Sequence, residues 1–182
     1  MPDELYRVRP AVPDDLVGMA RVHVATWKST YRGMVPDGPL DALTVESDIA
    51  SGFGRWLKAP LPETAHFVAV TAGGEVVGYA VGGPPREPEA DFTGELGAIY
   101  VRQDHQRHGV GSALVGAVAG HLVRLDRTSM IVWVIAANPY QRFYQRLGGI
   151  PVRARVAQSR LFQVPLHELS YGWKDVRPLA RP

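Results

Sequence analysis

The sequence predicts an α/β domain with a mixed, partly antiparallel central sheet flanked by helices. Three observations carry that expectation. A β-branched, aromatic and apolar run from Glu95 to Val101 leads into a glycine-rich turn. Apolar or amphipathic residues then follow at Val110, Leu114, Ala117, Val118, His121 and Leu125, mostly at helical spacing. Next comes Met130 to Ala136, continuously apolar, which suits a strand buried on both faces, parallel to the first and joined to it by the crossover helix. The other strands come in antiparallel pairs: His66 to Val70 and Val76 to Gly82 flank the turn Ala72-Gly73-Gly74-Glu75, and Val152 to Val156 pairs with Leu161 to Tyr171.

Composition bounds the rest. A chain of 182 residues is the size of one domain, spanning 1–182, and can bury a substantial core. Its 20 basic and 18 acidic side chains leave a net charge of +2, and no Lys/Arg cluster forms a nucleic-acid footprint. The absence of cysteine excludes disulfides, thiolate metal sites and a Cys nucleophile. Met1-Pro2-Asp3-Glu4 does not open a signal peptide, and no apolar run reaches membrane-spanning length, so a cytoplasmic protein without a membrane partner is expected.

Taken in order, Leu5 to Pro10 alternates apolar and basic residues, as a half-buried first strand would. Pro13, Asp14 and Asp15 open a helix whose face carries Leu16, Ala20, His23, Trp27 and Tyr31, with Val12 a poor cap. Trp27 and Tyr31 read as anchors of that helix on the sheet. Pro36, Gly38 and Pro39 break the chain, a second helix covers part of Thr44 to Leu57, and Pro60 and Pro62 close the segment. Gly83 to Thr93, rich in proline and acids, reads as a solvated connection. After the apolar strand, Asn138-Pro139 leads into a short helix that Gly148-Gly149 stops. Trp173 to Pro182 is expected to be a loosely ordered tail.

The glycine-rich turn, Gln106-Arg107-His108-Gly109-Val110-Gly111-Ser112, sits between a strand and a helix N-terminus. There, unpaired N–H groups and the helix dipole favour phosphate, and glycine lets the backbone approach it. Three readings compete. A P-loop needs Gly-Lys-Ser/Thr, which is absent, and a dinucleotide fingerprint needs a third glycine that this run lacks. A Gln/Arg-x-x-Gly-x-Gly/Ala pyrophosphate loop is matched in full by Gln106 to Gly111. On that loop the chain resembles the GCN5-related N-acetyltransferase (GNAT) family. A second match supports the resemblance: Asn138-Pro139-Tyr140-Gln141-Arg142-Phe143-Tyr144, then Gly148-Gly149, is similar to that family's closing motif.

The resemblance implies an acyl-CoA N-acyltransferase-like three-layer fold over most of residues 5–171. It implies acetyl-CoA as co-substrate, bound by the Gln106 to Ser112 loop, by backbone groups of Ile99, Tyr100 and Val101, and by Asn138. Tyr144 would point at the sulfur, and Trp27 and Tyr31 would line the acceptor site. The acceptor would be a small-molecule or peptide amine, and a homodimer is common in the family. An amine must lose a proton to attack; Glu95 is the best-placed acid by sequence, with Asp91 behind it and water as the other route. Tyr144 would stabilise the departing thiolate. His105-x-x-His108 has no nearby third ligand, so no metal is expected. A catalytically silent coenzyme A sensor or partner-binding module, and an enzyme using the loop for another nucleotide, are the alternatives.

Overall fold

In the computed structural model, residues 5–50, 61–87, 89–159 and 162–180 are described. Strand β1 (Tyr6–Pro10) runs into a 3₁₀ turn (Pro13–Asp15) and helix α1 (Leu16–Thr30). Val12 offers no side chain as a cap. Instead the Asp15 carboxylate accepts the Val12 N–H at 2.8 Å and both Arg9 Nη atoms at 2.6 and 2.8 Å, which fixes the entry to α1. The inward stripe of α1 is wider than the sequence reading: Met19, Val22, Thr26 and Thr30 are buried along with Ala20.

Short helices α2 (Asp37–Asp41) and α3 (Val45–Asp48) follow. The first stands where breaking residues were expected, because Gly38 and Pro39 fall in its first turn, where a missing N–H costs nothing. The remainder of the helix expected up to Leu57 lies outside the described residues. Hairpin β2 (Ala65–Thr71) and β3 (Val76–Gly83), then β4 (Gly94–Val101), helix α4 (Val110–Arg124) and β5 (Met130–Ile135) match the expected elements. Helix α5 (Gln141–Arg146) and the strands β6 (Ile150–Gln158) and β7 (Pro165–Trp173) complete the chain.

The seven strands form one sheet in the order β1-β2-β3-β4-β5-β7-β6, antiparallel throughout except where β4 meets β5. Helix α4 buries Val110, Leu114, Val115, Val118, Ala119 and Leu122 against one face, in a core shared with Val132, Val134 and Tyr144. Helix α1 covers the other face through Met19 and Val22 on Val68, Val70 and Tyr79. The result is three layers, helix on sheet on helix.

Two segments depart from expectation. Residues 174–180 are no loose tail: Val176 is fully buried and donates its N–H to the Thr128 carbonyl at 2.8 Å, and Leu179 and Ala180 pack on the α4-side core. Their apolar spacing secures them. The acid-rich connection before β4 is tied down as well. Phe92 is buried, Glu89 pairs with Arg153, and Glu87 pairs with Arg155 at 2.7 Å, both arginines coming from β6.

Candidate active site

The site begins with a defect in the sheet. Only Gly94–Met130 and Glu95–Ile131 pair between β4 and β5. On its other side β4 carries one extra residue, since Val81 pairs with Ala98 and Gly82 with Leu96, which leaves Gly97 as a bulge. A bulge bends its strand and increases the local twist. Meanwhile β5 stays aligned with β7 from Met130 to Ile135. So β4 is the strand that departs, and its β5-facing backbone beyond Leu96 has no strand partner. A cavity of about 610 Å³ opens in the gap, lined by Leu96 to Val101 on one side and Val132 to Ile135 on the other.

At one end the cavity meets the start of α4. Gly109 caps the helix in the left-handed region (φ 81°), with Arg107 at φ 66° just before it. This bend presents the first unpaired N–H groups of α4. Gln106, Arg107 and Gly111 line the cavity, whereas His108, Gly109, Val110 and Ser112 do not. Val110 is 3% exposed and belongs to the core, and His108 lies against Tyr6. The Gln106 side chain donates to the Val101 carbonyl at 3.1 Å, joining the loop to the end of β4. A Cβ on Gly111 would come within 3.1 Å of the Phe143 ring, so a side chain here would require that ring to give by a few tenths of an ångström. Arg142 and Arg146, one turn apart on α5, join Arg107 at the cavity. None of the three has an ion-pair partner among the described residues.

The centre holds Tyr144, 8% exposed, stacked on Tyr171 at 5.7 Å and edge-on to Phe143. Its hydroxyl lines the cavity without a hydrogen-bond partner among the described residues, and burial raises its pKa well above that of an ordinary phenol. Asn138 is turned inward: its Nδ2 donates to the Tyr31 hydroxyl at 3.0 Å and its Oδ1 accepts the Tyr140 N–H at 2.8 Å. That bond joins α1 to the start of α5.

On the α1 side, Trp27 and Tyr31 line the cavity with ring centroids 4.5 Å apart, and Trp27 also stacks on Phe162 at 5.3 Å. The Tyr100 side chain faces this half, edge-on to His23 at 5.1 Å. Glu95 stands elsewhere. It is 4% exposed and off the cavity wall, with Oε1 accepting Arg86 Nε at 2.7 Å and Oε2 accepting the Arg86 N–H at 2.8 Å. Asp91 points outward toward Arg153 and Lys174. The carboxylate that does line the cavity is Glu168, and the cation on this side is Arg86.

Sequence reasoning did not reach Arg86, Arg142, Arg146 or Glu168. The arginines on α5 were findable as an i, i+4 pair on the helix that follows Asn138-Pro139. Glu168 was findable as a lone carboxylate on the same strand face as Leu166. Arg86, inside a proline-rich turn, gave no signal.

The acetyltransferase (GNAT) family model matches residues 27–149, a span that runs from the aromatic wall of α1 to the glycine stop after α5. The chain belongs to the GNAT family. Its relatives include the uncharacterized N-acetyltransferase YuaI of Bacillus subtilis, 36% identical over 96% of both chains. A GCN5-related N-acetyltransferase from Rhodopseudomonas palustris has the same fold (TM-score 0.69, 17% identity, 92% of this chain and 94% of that one). So does yncA of Salmonella typhimurium, solved with its cofactor acetyl-CoA (TM-score 0.67, 19% identity, 97% of both chains). As a GNAT protein the chain is an acyltransferase of the N-acetyltransferase class. The aromatic wall, the splayed strands and the arginine-lined loop all fall within the matched span.

Proposed function

We propose that this GNAT protein transfers the acetyl group of acetyl-CoA to the amine of a small molecule or peptide, by direct attack in a ternary complex. The observation that carries the reading is the unpartnered Tyr144 hydroxyl in a cavity between splayed strands. That hydroxyl stands between an arginine-lined helix N-terminus and an aromatic chamber.

The residues suit acetyl-CoA. The unpaired edge of β4 at Ile99, Tyr100 and Val101 would take the amide-bearing pantetheine arm as a strand takes its neighbour. The loop from Gln106 to Ser112, with the α4 N-terminus it leads into, would take the pyrophosphate together with Arg142 and Arg146. Asn138 would act by holding Tyr31 and the start of α5 in place. Acetyl-CoA supplies an activated thioester: a C–N bond forms as the C–S bond breaks, the amine loses a proton and the sulfur gains one.

Tyr144 would hydrogen-bond the departing sulfur. A phenol whose pKa is raised by burial stays protonated and so keeps a donor for developing negative charge. Trp27 and Tyr31 would wall the acceptor. Glu95 is proposed to assist removal of the amine proton. With both its oxygens on Arg86, it would act through water rather than by direct contact.

Calorimetry with acetyl-CoA, NAD and ATP, followed by a thiol-release assay over an amine panel, tests this reading. Selective binding of acetyl-CoA and amine-dependent thiol release are expected. Preference for NAD or ATP would overturn it, and tight acetyl-CoA binding without turnover would favour a silent sensor.

A further inference from the structure

Two polar atoms on the acceptor side of the cavity are held in place by the fold and left without a partner. Glu95, itself buried, grips Arg86 at three points: the backbone N–H at 2.8 Å, Nε at 2.7 Å and Nη2 at 2.6 Å. That grip orients the guanidinium, and Nη1 has no partner among the described residues. Glu168 is fixed in a matching way from the opposite wall. Its Oε2 accepts Arg155 Nε at 2.7 Å, and Arg155 is braced by Glu87 at 2.7 Å and by the Trp133 ring, 3.9 Å from its guanidinium carbon. Glu168 Oε1 has no partner among the described residues.

We propose that the acceptor is a small zwitterion, an amine carrying an anionic group, held between Arg86 Nη1 and Glu168 Oε1. This rests on the acetyl-transfer reading and narrows it. The anionic group (carboxylate, phosphonate or sulfonate) accepts from Arg86 Nη1, and an amine N–H donates to Glu168 Oε1. Charge balance selects the class. Arg86 already has the buried Glu95 as counter-ion and Glu168 already has Arg155, whose other partner, Glu87, stands in solvent where its charge is screened, so a ligand without net charge leaves both cavity-side pairs balanced. A purely cationic or anionic ligand would leave one of them uncompensated in a half-enclosed site.

The two charges also act on adjoining rings. Burial raises the Tyr31 phenol and the Glu168 charge adds to that rise; burial raises the Tyr100 phenol and the Arg86 charge opposes it. Trp27, Tyr31 and Trp133 supply apolar walls for the body of such a molecule.

The test is calorimetry on the full chain loaded with coenzyme A, which reads acceptor binding without turnover. The probes are leucine against its methyl ester and isoamylamine, with taurine and 2-aminoethylphosphonate against ethylamine. At least one zwitterionic amine should bind tenfold or more tighter than its counterparts that lack the anionic group, as expected for charge-assisted hydrogen bonds. Arg86→Lys should erase most of that preference, and Glu168→Gln should instead weaken every amine probe, with or without an anionic group, while coenzyme A affinity holds. The proposal is overturned if amines lacking the anionic group bind as well as the zwitterions across the series, or if no probe binds. The comparison among probes needs only the wild-type chain, so a variant that folds poorly does not spoil it. Failure of coenzyme A itself to bind would instead overturn the acetyl-transfer reading beneath it.

Discussion

Replacing Tyr144 by Phe removes one oxygen atom whose contribution to folding and to chemistry can be separated. The hydroxyl makes no hydrogen bond to the described protein, and the ring keeps its packing on Tyr171 and Phe143. Stability should therefore change by no more than about 0.5 kcal/mol, as for substitutions that break no contact. Acetyl-CoA affinity should hold within about twofold, since the loop, the arginines and the β4 edge are untouched. The loss should fall on the chemical step. Positioned proton donors contribute ~10²–10⁴-fold, equivalent to about 3–5 kcal/mol of barrier at ~1.4 kcal/mol per decade.

Single-turnover thiol release, with both substrates saturating, measures that step. Burial raises the phenol's pKa, so its proton is bound below the usual phenol range and stays bound through it. The ratio of wild-type to variant rate should thus be flat from pH 6 to about 10. An unchanged single-turnover rate would refute the role assigned to the hydroxyl. A ratio that collapses as pH rises toward 10 would refute the effect assigned to burial.

Three further outcomes are expected. Glu95→Gln removes the base and leaves Arg86 one acceptor oxygen in place of two, so at saturating acceptor the rate should fall and the acidic limb of its pH profile should shift, with acetyl-CoA affinity unchanged; an overlaid profile would send the proton elsewhere. Gly111→Val should weaken acetyl-CoA binding by displacing Phe143, and Gly109→Ala should cost about 1–2 kcal/mol of stability from its positive φ although space around it is open; calorimetry and urea unfolding check the pair. Asp15→Asn should destabilise by about 1–2 kcal/mol at neutral pH by weakening the Arg9 bidentate pair. Hydrogen bonding from Arg9 lowers the Asp15 pKa, so that stabilisation is complete above about pH 4 and is lost as pH falls through the folded value; unfolding of both proteins at pH 7 and pH 3 should show the difference shrinking.

The sequence by itself determined the elements and the glycine-rich loop motif. Helices α1 and α4 follow from periodicity, the β2–β3 hairpin from its glycine turn and β5 from an unbroken apolar run, and each of these is a local property that the segment carries alone. The Gln106 to Gly111 run and the Asn138 to Tyr144 run were legible for the same reason: strand, turn and helix are consecutive in the chain. Tertiary structure decided how those pieces meet. The splay of β4 depends on a one-residue bulge against β3, and the grip of Glu95 on Arg86 depends on a loop folding back beside its own strand. The assignment of Glu168 to the cavity depends on β7 inserting between β5 and β6, which sets Glu168 across from Ile135. Gly111 reads in sequence as room for a phosphate, but only the packing of α4 on α5 reveals that it makes room for Phe143. Such contacts join residues tens of positions apart through strand register, and shifting register by one residue would turn each side chain to the opposite face while leaving its local pattern the same.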